Sequence, residues 1–224
     1  MRSATSSNFL YRIVRFERLV QLLKTDEWHF AHPSTWEDPY EIRTVNPLSS
    51  SLFAQCWCRK GVSDAMWRIY SSDKLGVRIR TTATSLNEAL TLATLRRKLG
   101  HRMNKVSYVT ERQYAERIAV INASLAKRVT FARASQHLFL KRVAFEHEAE
   151  TRVVVFDLDQ PLESTVKFVK VQLPTRDLID SVLVDPRAPD EYVEMYQDYL
   201  ARTLHFAGKV EKSSLYRSSG LRES

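Results

Sequence analysis

The chain has 224 residues, of which 44% are hydrophobic and 27% charged, and its net charge is +8. This length and composition exclude a disordered or fibrous protein and fit one domain with a full core. No apolar run approaches the roughly 20 residues of a membrane-spanning helix. The polar start Met1-Arg-Ser-Ala-Thr-Ser-Ser has no signal-peptide core behind it. We therefore predict a cytoplasmic protein outside the membrane, and the sequence does not indicate its oligomeric state.

Short strands and helices follow each other without the regular alternation of a parallel sheet. In chain order, strands are predicted at 9–14, 28–31, 52–57, 76–82, 103–109, 151–156, 166–172 and 182–184, and helices at 16–24, 63–70, 85–100, 111–140 and 191–204. The β-branched runs at 151–156 and 166–172 are predicted to form a hairpin. The pattern indicates an α+β fold with mixed or antiparallel sheets and flanking helices.

One domain is predicted over residues 1–211, with a basic helical segment, 95–142, inside it. A flexible tail is predicted from residue 212 to residue 224, because that stretch is polar and rich in serine.

The glycines exclude several nucleotide-binding and catalytic motifs. The chain has five, and no two of them are close together, whereas a Walker loop, a Rossmann turn or a Gly-x-Ser-x-Gly elbow needs several within a few residues. A dinucleotide would therefore have to be held by side chains, of which arginine suits phosphate best. The two cysteines, Cys56 and Cys58, are too few for a zinc site, and no metal centre is predicted.

Positive charge is concentrated in the middle of the chain. Between Arg96 and Arg142 lie twelve Lys or Arg residues against two Glu, so this stretch carries +10 and the rest of the chain sums to −2. Such a stretch is typical of a surface that binds nucleic acid or the phosphates of a nucleotide, and a solvated helix face is the alternative. The predicted nucleic-acid-binding residues are Arg96, Arg97, Lys98, Arg102, Lys105, Arg128 and Lys141.

Three clusters in the first third of the chain are candidates for binding a ligand. Tyr11-Arg12 places an arginine in an apolar strand, where it would bind an anion or pair with a carboxylate. The segment from His32 to Glu41, which contains Ser34, Trp36 and Asp38, is bounded by two prolines and suits a rigid loop, or else a turn organised by Asp38. Trp67 and Tyr70 share one helical face, where they would stack on a ring of the ligand or pack in the core.

The candidate catalytic cluster is Glu148-Ala-Glu150-Thr-Arg152. If a strand begins here, both carboxylates and the arginine point the same way. Adjacent carboxylates raise each other's pKa and a nearby arginine opposes that, an arrangement suited to acid–base work or to stabilising a sugar cation. A ladder of surface charges is the alternative.

The order of these clusters resembles the bacterial family DUF2971, a domain of unknown function. The likeness runs from about residue 9 to residue 200. It is carried by Leu10-Tyr11-Arg12, by Phe30-Ala-His-Pro33-Ser-Thr-Trp36-Glu37-Asp38-Pro39-Tyr40-Glu41, by Met66-Trp67-Arg-Ile-Tyr70 with Gly76-Val77, and by Lys141 followed by Phe145-Glu-His-Glu148-Ala-Glu150-Thr-Arg152. The chain departs from the pattern at Glu37, where the family has Asn, and at Phe145, where it has Trp.

A looser resemblance links the chain to ADP-ribosyltransferases of the Arg–Ser–Glu kind. It implies an ADP-ribosyltransferase-like core with NAD as substrate. By this likeness Arg12 would hold phosphate, Ser34 would support the nicotinamide ribose, Glu150 would stabilise the oxocarbenium ion and Glu148 would position the acceptor.

The leading hypothesis is therefore an NAD-dependent ADP-ribosyltransferase or NAD glycohydrolase, acting as a toxin or a phage-defence effector. The first alternative is a non-catalytic module that binds nucleic acid through the basic segment. The second is a metal-dependent nuclease using Asp38, Glu148 and Glu150.

Overall fold

A computed structural model of the protein describes residues 8–42, 46–95, 99–157 and 165–217. Its strands are β1 (Phe9–Val14), β2 (Glu27–Ala31), β3 (Leu52–Cys58), β4 (Val77–Thr82), β5 (Leu99–Lys105), β6 (Ser107–Val109), β7 (Leu140–Arg142), β8 (Glu150–Asp157), β9 (Phe168–Gln172), β10 (Ser181–Val184) and β11 (Lys209–Lys212). Its helices are α1 (Phe16–Thr25), α2 (Pro39–Ile42), α3 (Asp64–Tyr70), α4 (Ala83–Leu95), α5 (Glu111–Lys127), α6 (Phe131–Ala134), α7 (Thr175–Leu178) and α8 (Asp190–Asp198). The predicted α+β class is confirmed.

The chain divides into two compact units, each assembled from separate stretches of sequence. The first unit combines Met1–Asn8, Glu27–Arg59 and Ala83–Leu173, and the second combines Phe9–Asp26, Lys60–Thr82 and Pro174–Ser224.

The first unit is built on an antiparallel sheet with strand order β9-β2-β3-β8-β5. Strand β8, which lies between β3 and β5, has side chains buried on both faces, and Val153, Val154 and Val155 are fully buried. This explains why β8 reads as a continuous apolar run and not as an alternating one. β6 and β7 form a separate parallel pair.

Residues 109–140 pack against one face of this sheet. Leu52, Val154 and Phe156 of the sheet meet Tyr114 and Leu138 from the helical region in one buried cluster. The core of the first unit therefore joins the sheet to the segment that the sequence marked as basic, so the apolar side chains of that segment are fixed in place.

The helix predicted over 111–140 is shorter than expected. α5 begins with a capping box in which Thr110 and Gln113 bond each other's backbone, and it ends at Lys127. Arg128 is already extended, and Thr130 caps the short helix α6. The guanidinium of Arg133 donates to the carbonyl oxygens of Ser124 and Arg128, at 2.8 and 3.1 Å, so it satisfies groups that the end of a helix leaves without partners.

The predicted hairpin of 151–156 with 166–172 is wrong. β8 pairs with β3 and β5, whereas β9 pairs with β2. Both strands are β-branched, but that property marks a strand without identifying its neighbour, which here is distant in sequence. The strand predicted over 103–109 is likewise divided into β5 and β6 at Val106, whose amide donates to the carbonyl oxygen of Glu150 at 3.0 Å.

The second unit is built on a sheet with strand order β11-β10-β4-β1, antiparallel except for the parallel pair β10 and β11. β4 alternates as predicted, with Val77 and Ile79 buried. β11 extends to Lys212, and the amide of Ser213 donates to the carbonyl oxygen of Val184 at 3.0 Å. The first residues of the predicted tail are thus part of this sheet.

A close approach between Ser71 and Gly76 closes the loop after α3. The amide of Gly76 donates to Ser71 Oγ at 2.9 Å, and a Cβ at position 76 would lie 2.7 Å from that oxygen. We expect Gly76→Ala to lower the free energy of unfolding by about 1–3 kcal/mol, because the added methyl overpacks a filled site. Urea denaturation checks this. An unchanged midpoint would show that the loop relaxes freely.

None of the helices in the described part of the chain is long and apolar enough to cross a membrane.

Candidate functional site

Five buried charged residues form one cluster in the first unit. They come from α2, from β7, from the 3-10 turn Val143–Glu148 before β8 and from β8 itself, and they are Glu41, Lys141, Glu148, Glu150 and Arg152. The cluster contains three carboxylates and two cations. Charges buried to this degree need partners, and here each charge is the partner of another.

The backbone at Ala149 directs both catalytic candidates toward Lys141. Ala149 has φ 45° and ψ 50°, a left-handed conformation that is uncommon for a residue with a side chain. β8 therefore begins only at Glu150, and Glu148 ends the preceding 3-10 turn. The two glutamates share a partner because of this turn and not because of strand alternation, which was the expected reason.

Lys141 and Arg152 hold the carboxylates from two sides. Lys141 Nζ lies 2.6 Å from Glu148 Oε2 and 3.7 Å from Glu150 Oε1. Arg152 Nε donates to Glu150 Oε2 at 2.8 Å. The same guanidinium bonds Glu41 through its Nη2 and donates through Nη1 to the carbonyl oxygen of Leu138 at 2.7 Å.

The two central carboxyl groups differ in their protonation. Burial raises the pKa of Glu148 to about 7, despite the opposing effect of Lys141. Burial would also raise the pKa of Glu150, but the charges of Arg152 and Lys141 outweigh it, so this pKa lies below its usual value. The cluster thus holds an ionised carboxylate beside a carboxyl group that can carry a proton near neutral pH.

The raised pKa of Glu148 predicts that the free energy of unfolding depends on pH. Folding raises the pKa of Glu148 from 4.5 to about 7. The stabilisation that results is complete at pH values below the pKa in the unfolded state, and it disappears as the pH rises through the pKa in the folded state. We expect the unfolding free energy of the unsubstituted protein, relative to Glu148→Gln, to fall between about pH 5 and pH 8. Urea unfolding at both pH values checks this. Glu146→Gln is the control, since Glu146 is exposed on the same turn, and an equal pH trend in both variants would contradict the assignment.

Two partly exposed aromatic rings lie over the cations of the cluster. The Arg152 guanidinium lies 4.6 Å from the centre of a Trp36 ring, and Lys141 Nζ lies 4.7 Å from the centre of the Phe145 ring. These contacts place the predicted loop residue Trp36 at the site. Cation–π contacts of this kind add to the ion pairs and fix the orientation of the rings.

Asp38 lies beside the cluster but pairs elsewhere. Its Oδ1 accepts a hydrogen bond from the amide of Tyr40 and another from Arg142 Nη2, at 3.0 and 3.1 Å. The Arg142 guanidinium also lies over the Tyr40 ring at 4.1 Å. The turn organised by Asp38, one of the two alternatives for this loop, is therefore present, and it holds the residues between Trp36 and Glu41 in place.

Ser34 occupies an exposed position on the same loop. Its Oγ lies 2.8 Å from His32 Nδ1, and Lys167 Nζ donates to it at 3.2 Å. His32 Nε2 lies 3.0 Å from the carbonyl oxygen of Ser49. Desolvation lowers the pKa of His32, so the ring is neutral at neutral pH and its Nδ1 accepts.

Four of the predicted ligand-binding residues belong to the second unit. Tyr11 and Arg12 lie in β1, and Arg78 Cζ lies 4.7 Å from the centre of the Tyr11 ring. Trp67 is 1% exposed and Tyr70 is 46% exposed. Trp67 therefore packs in the core, which was the alternative to stacking on a ligand, and its ring has no exposed face for a ligand ring.

The basic segment presents fewer free charges than its sequence indicates. Arg96, Arg97 and Lys98 lie outside the described residues. Arg102 donates to the carbonyl oxygen of Ala132 and, at 2.9 Å, to Ser135 Oγ. Lys141 was predicted to contact nucleic acid, but it is 6% exposed and neutralises the glutamates. The Lys141 ammonium is therefore engaged by Glu148 and Glu150, and its contact with nucleic acid stays a prediction.

The described residues provide no group of three or more His, Cys, Asp or Glu that could hold a metal ion. Cys56 lies near Arg152, but burial raises its pKa to about 12. The thiol is therefore neutral and does not act as a nucleophile.

Sequence reasoning missed Glu41 as a site residue and gave Lys141 another role, that of binding nucleic acid. Glu41 ends the proline-bounded loop and Lys141 precedes β8, and both stand in the motifs quoted for DUF2971. Those motifs were therefore the available signal. Tyr108 was also missed: its oxygen accepts the amide of Glu150 at 2.7 Å, and no pattern in the sequence marks it.

Comparison with known proteins gives a family match and distant structural likenesses. The model of the family "Protein of unknown function (DUF2971)" matches residues 66–153. No curated protein matches significantly.

Three solved structures of DarT from Thermus sp. 2.9 are similar to this chain. The complex with carba-NAD+ is 13% identical, covers 92% of this chain and 95% of its own, and has a TM-score of 0.44. The complex with ADP-ribosylated ssDNA is 13% identical, covers 95% of this chain and 97% of its own, and has a TM-score of 0.47. The complex with NAD+ is 12% identical, covers 96% of this chain and 100% of its own, and has a TM-score of 0.46. At such identities and scores, the function has to be argued from the site itself.

The matched stretch contains the Met66-Trp67 helix and the Glu148-Ala-Glu150-Thr-Arg152 run, so the resemblance of this chain to the DUF2971 family is confirmed over residues 66–153.

Proposed function

We propose that the first unit cleaves the bond between nicotinamide and ribose in NAD, as an ADP-ribosyltransferase or an NAD glycohydrolase. The observation that carries this proposal is the pair Glu148 and Glu150. One carboxylate is kept ionised by two cations, and the neighbouring carboxyl group has a pKa of about 7. Both lie in a site from which water is largely excluded, where such charges act strongly.

The chemistry requires a fixed negative charge next to the ribose. When the bond between C1′ and the pyridinium nitrogen breaks, its electron pair leaves with nicotinamide, and positive charge develops on the sugar as an oxocarbenium ion. The Glu150 carboxylate would stabilise that ion. Water or an acceptor hydroxyl then attacks C1′ and releases a proton, which the Glu148 carboxylate would take up because its pKa lies near neutral pH.

Arg152 and Glu41 would be positioning residues in this reaction. Arg152 is 1% exposed and donates to Glu150, to Glu41 and to the backbone carbonyl oxygen of Leu138. Its donors are therefore occupied within the protein, and it orients Glu150. This revises the catalytic role predicted for Arg152.

Substrate would approach past the aromatic rings. Trp36 and Phe145 are partly exposed, whereas the ions beneath them are buried. A nicotinamide or ribose ring entering here would meet Trp36, with Ser34 two residues away on the same loop. Arg12 and Tyr11 remain predicted phosphate- and nucleotide-binding residues, and Asp38 remains predicted to shape the loop.

Incubation of the purified protein with NAD tests the proposal. Nicotinamide release, measured by chromatography, and an NAD-dependent rise in the unfolding temperature are the expected results. If millimolar NAD produces no nicotinamide and no rise in the unfolding temperature, the proposal is ruled out. If the activity serves a toxin or a phage-defence effector, expression of the unsubstituted chain should arrest bacterial growth, and expression of Glu150→Gln should not.

A nucleic-acid-binding function is the second candidate, favoured by the cations that stay exposed in the basic segment. Among the described residues, Lys105, Arg117, Lys127 and Arg128 are exposed and form no ion pair. Binding through these side chains must weaken steeply with salt. Undetectable affinity for DNA and RNA at low salt would remove this candidate.

A further inference from the structure

The outer face of β2 and β9 carries an exposed aromatic side chain. Phe168 is 50% exposed, and its ring stacks on that of His29 with the centres 5.0 Å apart and the planes 5° from parallel. On the other face of the same strands, Trp28, Phe30 and Val171 are buried. At β2 and β9 the sheet thus has one packed face and one solvated face, and Phe168 lies on the solvated one, where the core does not require an aromatic ring.

Two lysines flank this aromatic pair. Lys170 faces the same side as Phe168 and lies opposite His29, and its Nζ is 2.7 Å from Glu27 Oε2 in a pair whose lysine is exposed and whose glutamate is half-buried. Lys167 is exposed and reaches Ser34. A partly exposed ion pair of this kind is weak, and the Lys167 bond goes to an exposed hydroxyl, so both ammonium groups can turn to an incoming anion at little cost.

The aromatic face points to the same side of the sheet as the glutamate cluster. One row of paired residues crosses the strands from β9 to β8 on this side: Phe168, Ala31, Ala54 and Val154. Two residues along each strand from this row, Lys170 pairs with His29 and Cys56 pairs with Arg152. His29 is therefore two strands from Arg152, a distance of about 10 Å at the usual strand spacing. Ala54 and Val154 between them are buried in the cluster with residues 109–140, so the aromatic face is exposed only at the β2 and β9 edge of this side.

We propose that His29, Phe168, Lys167 and Lys170 form a platform that binds single-stranded nucleic acid. A base stacks on the exposed face of Phe168, and the lysines contact the phosphates on either side of it. Exposed aromatic rings on a sheet, with lysines beside them, suit single strands because every base has a stacking face and a duplex hides it. The platform goes beyond the proposed function, since binding here needs neither NAD nor the glutamates.

Fluorescence anisotropy with a labelled single strand of about twelve nucleotides, within the usual range of site sizes, tests the platform. DNA and RNA strands are compared with the duplex at low salt without NAD. We expect single strands to bind better than duplex, and Phe168→Ala to weaken binding by about 5- to 150-fold, the range for the loss of one stacked base. Phe168→Trp should bind like the unsubstituted protein. Leu92→Ala is the matched control, because Leu92 is also an exposed apolar residue of the first unit.

Salt titration supplies a second readout. Lys167→Ala and Lys170→Ala should each reduce the slope of log affinity against log salt by about 0.7. The platform is overturned if Phe168→Ala binds as tightly as Leu92→Ala, if Phe168→Trp is as weak as Phe168→Ala, or if no single strand binds at low salt. Failure of the proposed function is distinguishable, because it would abolish nicotinamide release while leaving strand binding dependent on Phe168.

Discussion

Glu150→Gln is expected to lower the rate of nicotinamide release from NAD by about 100-fold or more, the usual loss when a charge aimed at a transition state is removed. Glutamine keeps the shape of the side chain and its bond to Arg152 but carries no charge to stabilise the oxocarbenium ion. Initial rates at saturating NAD measure this effect. Because the charge matters in the transition state, the loss should appear in kcat and much less in KM.

The control for Glu150→Gln is Glu146→Gln, on the exposed side of the turn before β8. It makes the same chemical change a few residues away and should leave the rate unaltered. Urea unfolding of both variants separates lost chemistry from lost structure. If Glu150→Gln stays folded and releases nicotinamide as fast as Glu146→Gln, the carboxylate pair has no catalytic part.

Arg152→Leu is expected to destabilise the protein by about 3–5 kcal/mol, because it leaves the buried carboxylates of Glu41 and Glu150 without their main partner. Urea denaturation measures this free energy. The exposed pair of Arg112 with Glu116 provides the comparison, with side chains 89% and 59% exposed. Arg112→Leu should change the unfolding midpoint little, since exposed pairs contribute little.

A double variant distinguishes the ion network from simple loss of packing. Adding Glu41→Leu to Arg152→Leu removes one of the stranded charges, so the pair should be more stable than the sum of the two single changes predicts. Additive effects would mean that Arg152 stabilises the fold through its bulk and its backbone hydrogen bond alone.

Local structure was largely predictable from the sequence. The alternation of β4, the apolar spacing of α1 and the β-branched run of β8 each report the burial of neighbouring side chains, a property that a short stretch of chain encodes by itself. The same holds for the glycine argument: with no two glycines close together, side chains must carry any nucleotide site. The DUF2971 motifs also contained the residues of the cluster, including Glu148 and Glu150, and the neighbouring Trp36, before any geometry was known.

Pairing and protonation were not predictable in this way. β9 joins β2 and not β8, because strand partners are chosen by the whole core. Lys141 looked like one of many surface cations in a stretch of +10, and only the approach of β7 to β8 buries it against Glu148. Likewise, the sequence does not show how deeply a charged side chain is buried, although burial decides whether Glu148 holds a proton at neutral pH.

By itself, the sequence determined the α+β class, the absence of glycine-rich phosphate loops, and the residue types available for chemistry, since all of these depend on composition and short-range order. The tertiary structure decided which charges are buried together, which cations stay free for a ligand, and that Phe168 faces solvent on the same side of the sheet as Arg152. These properties depend on distances between residues far apart in the chain, and folding sets those distances by burying the largest apolar area with every buried charge paired.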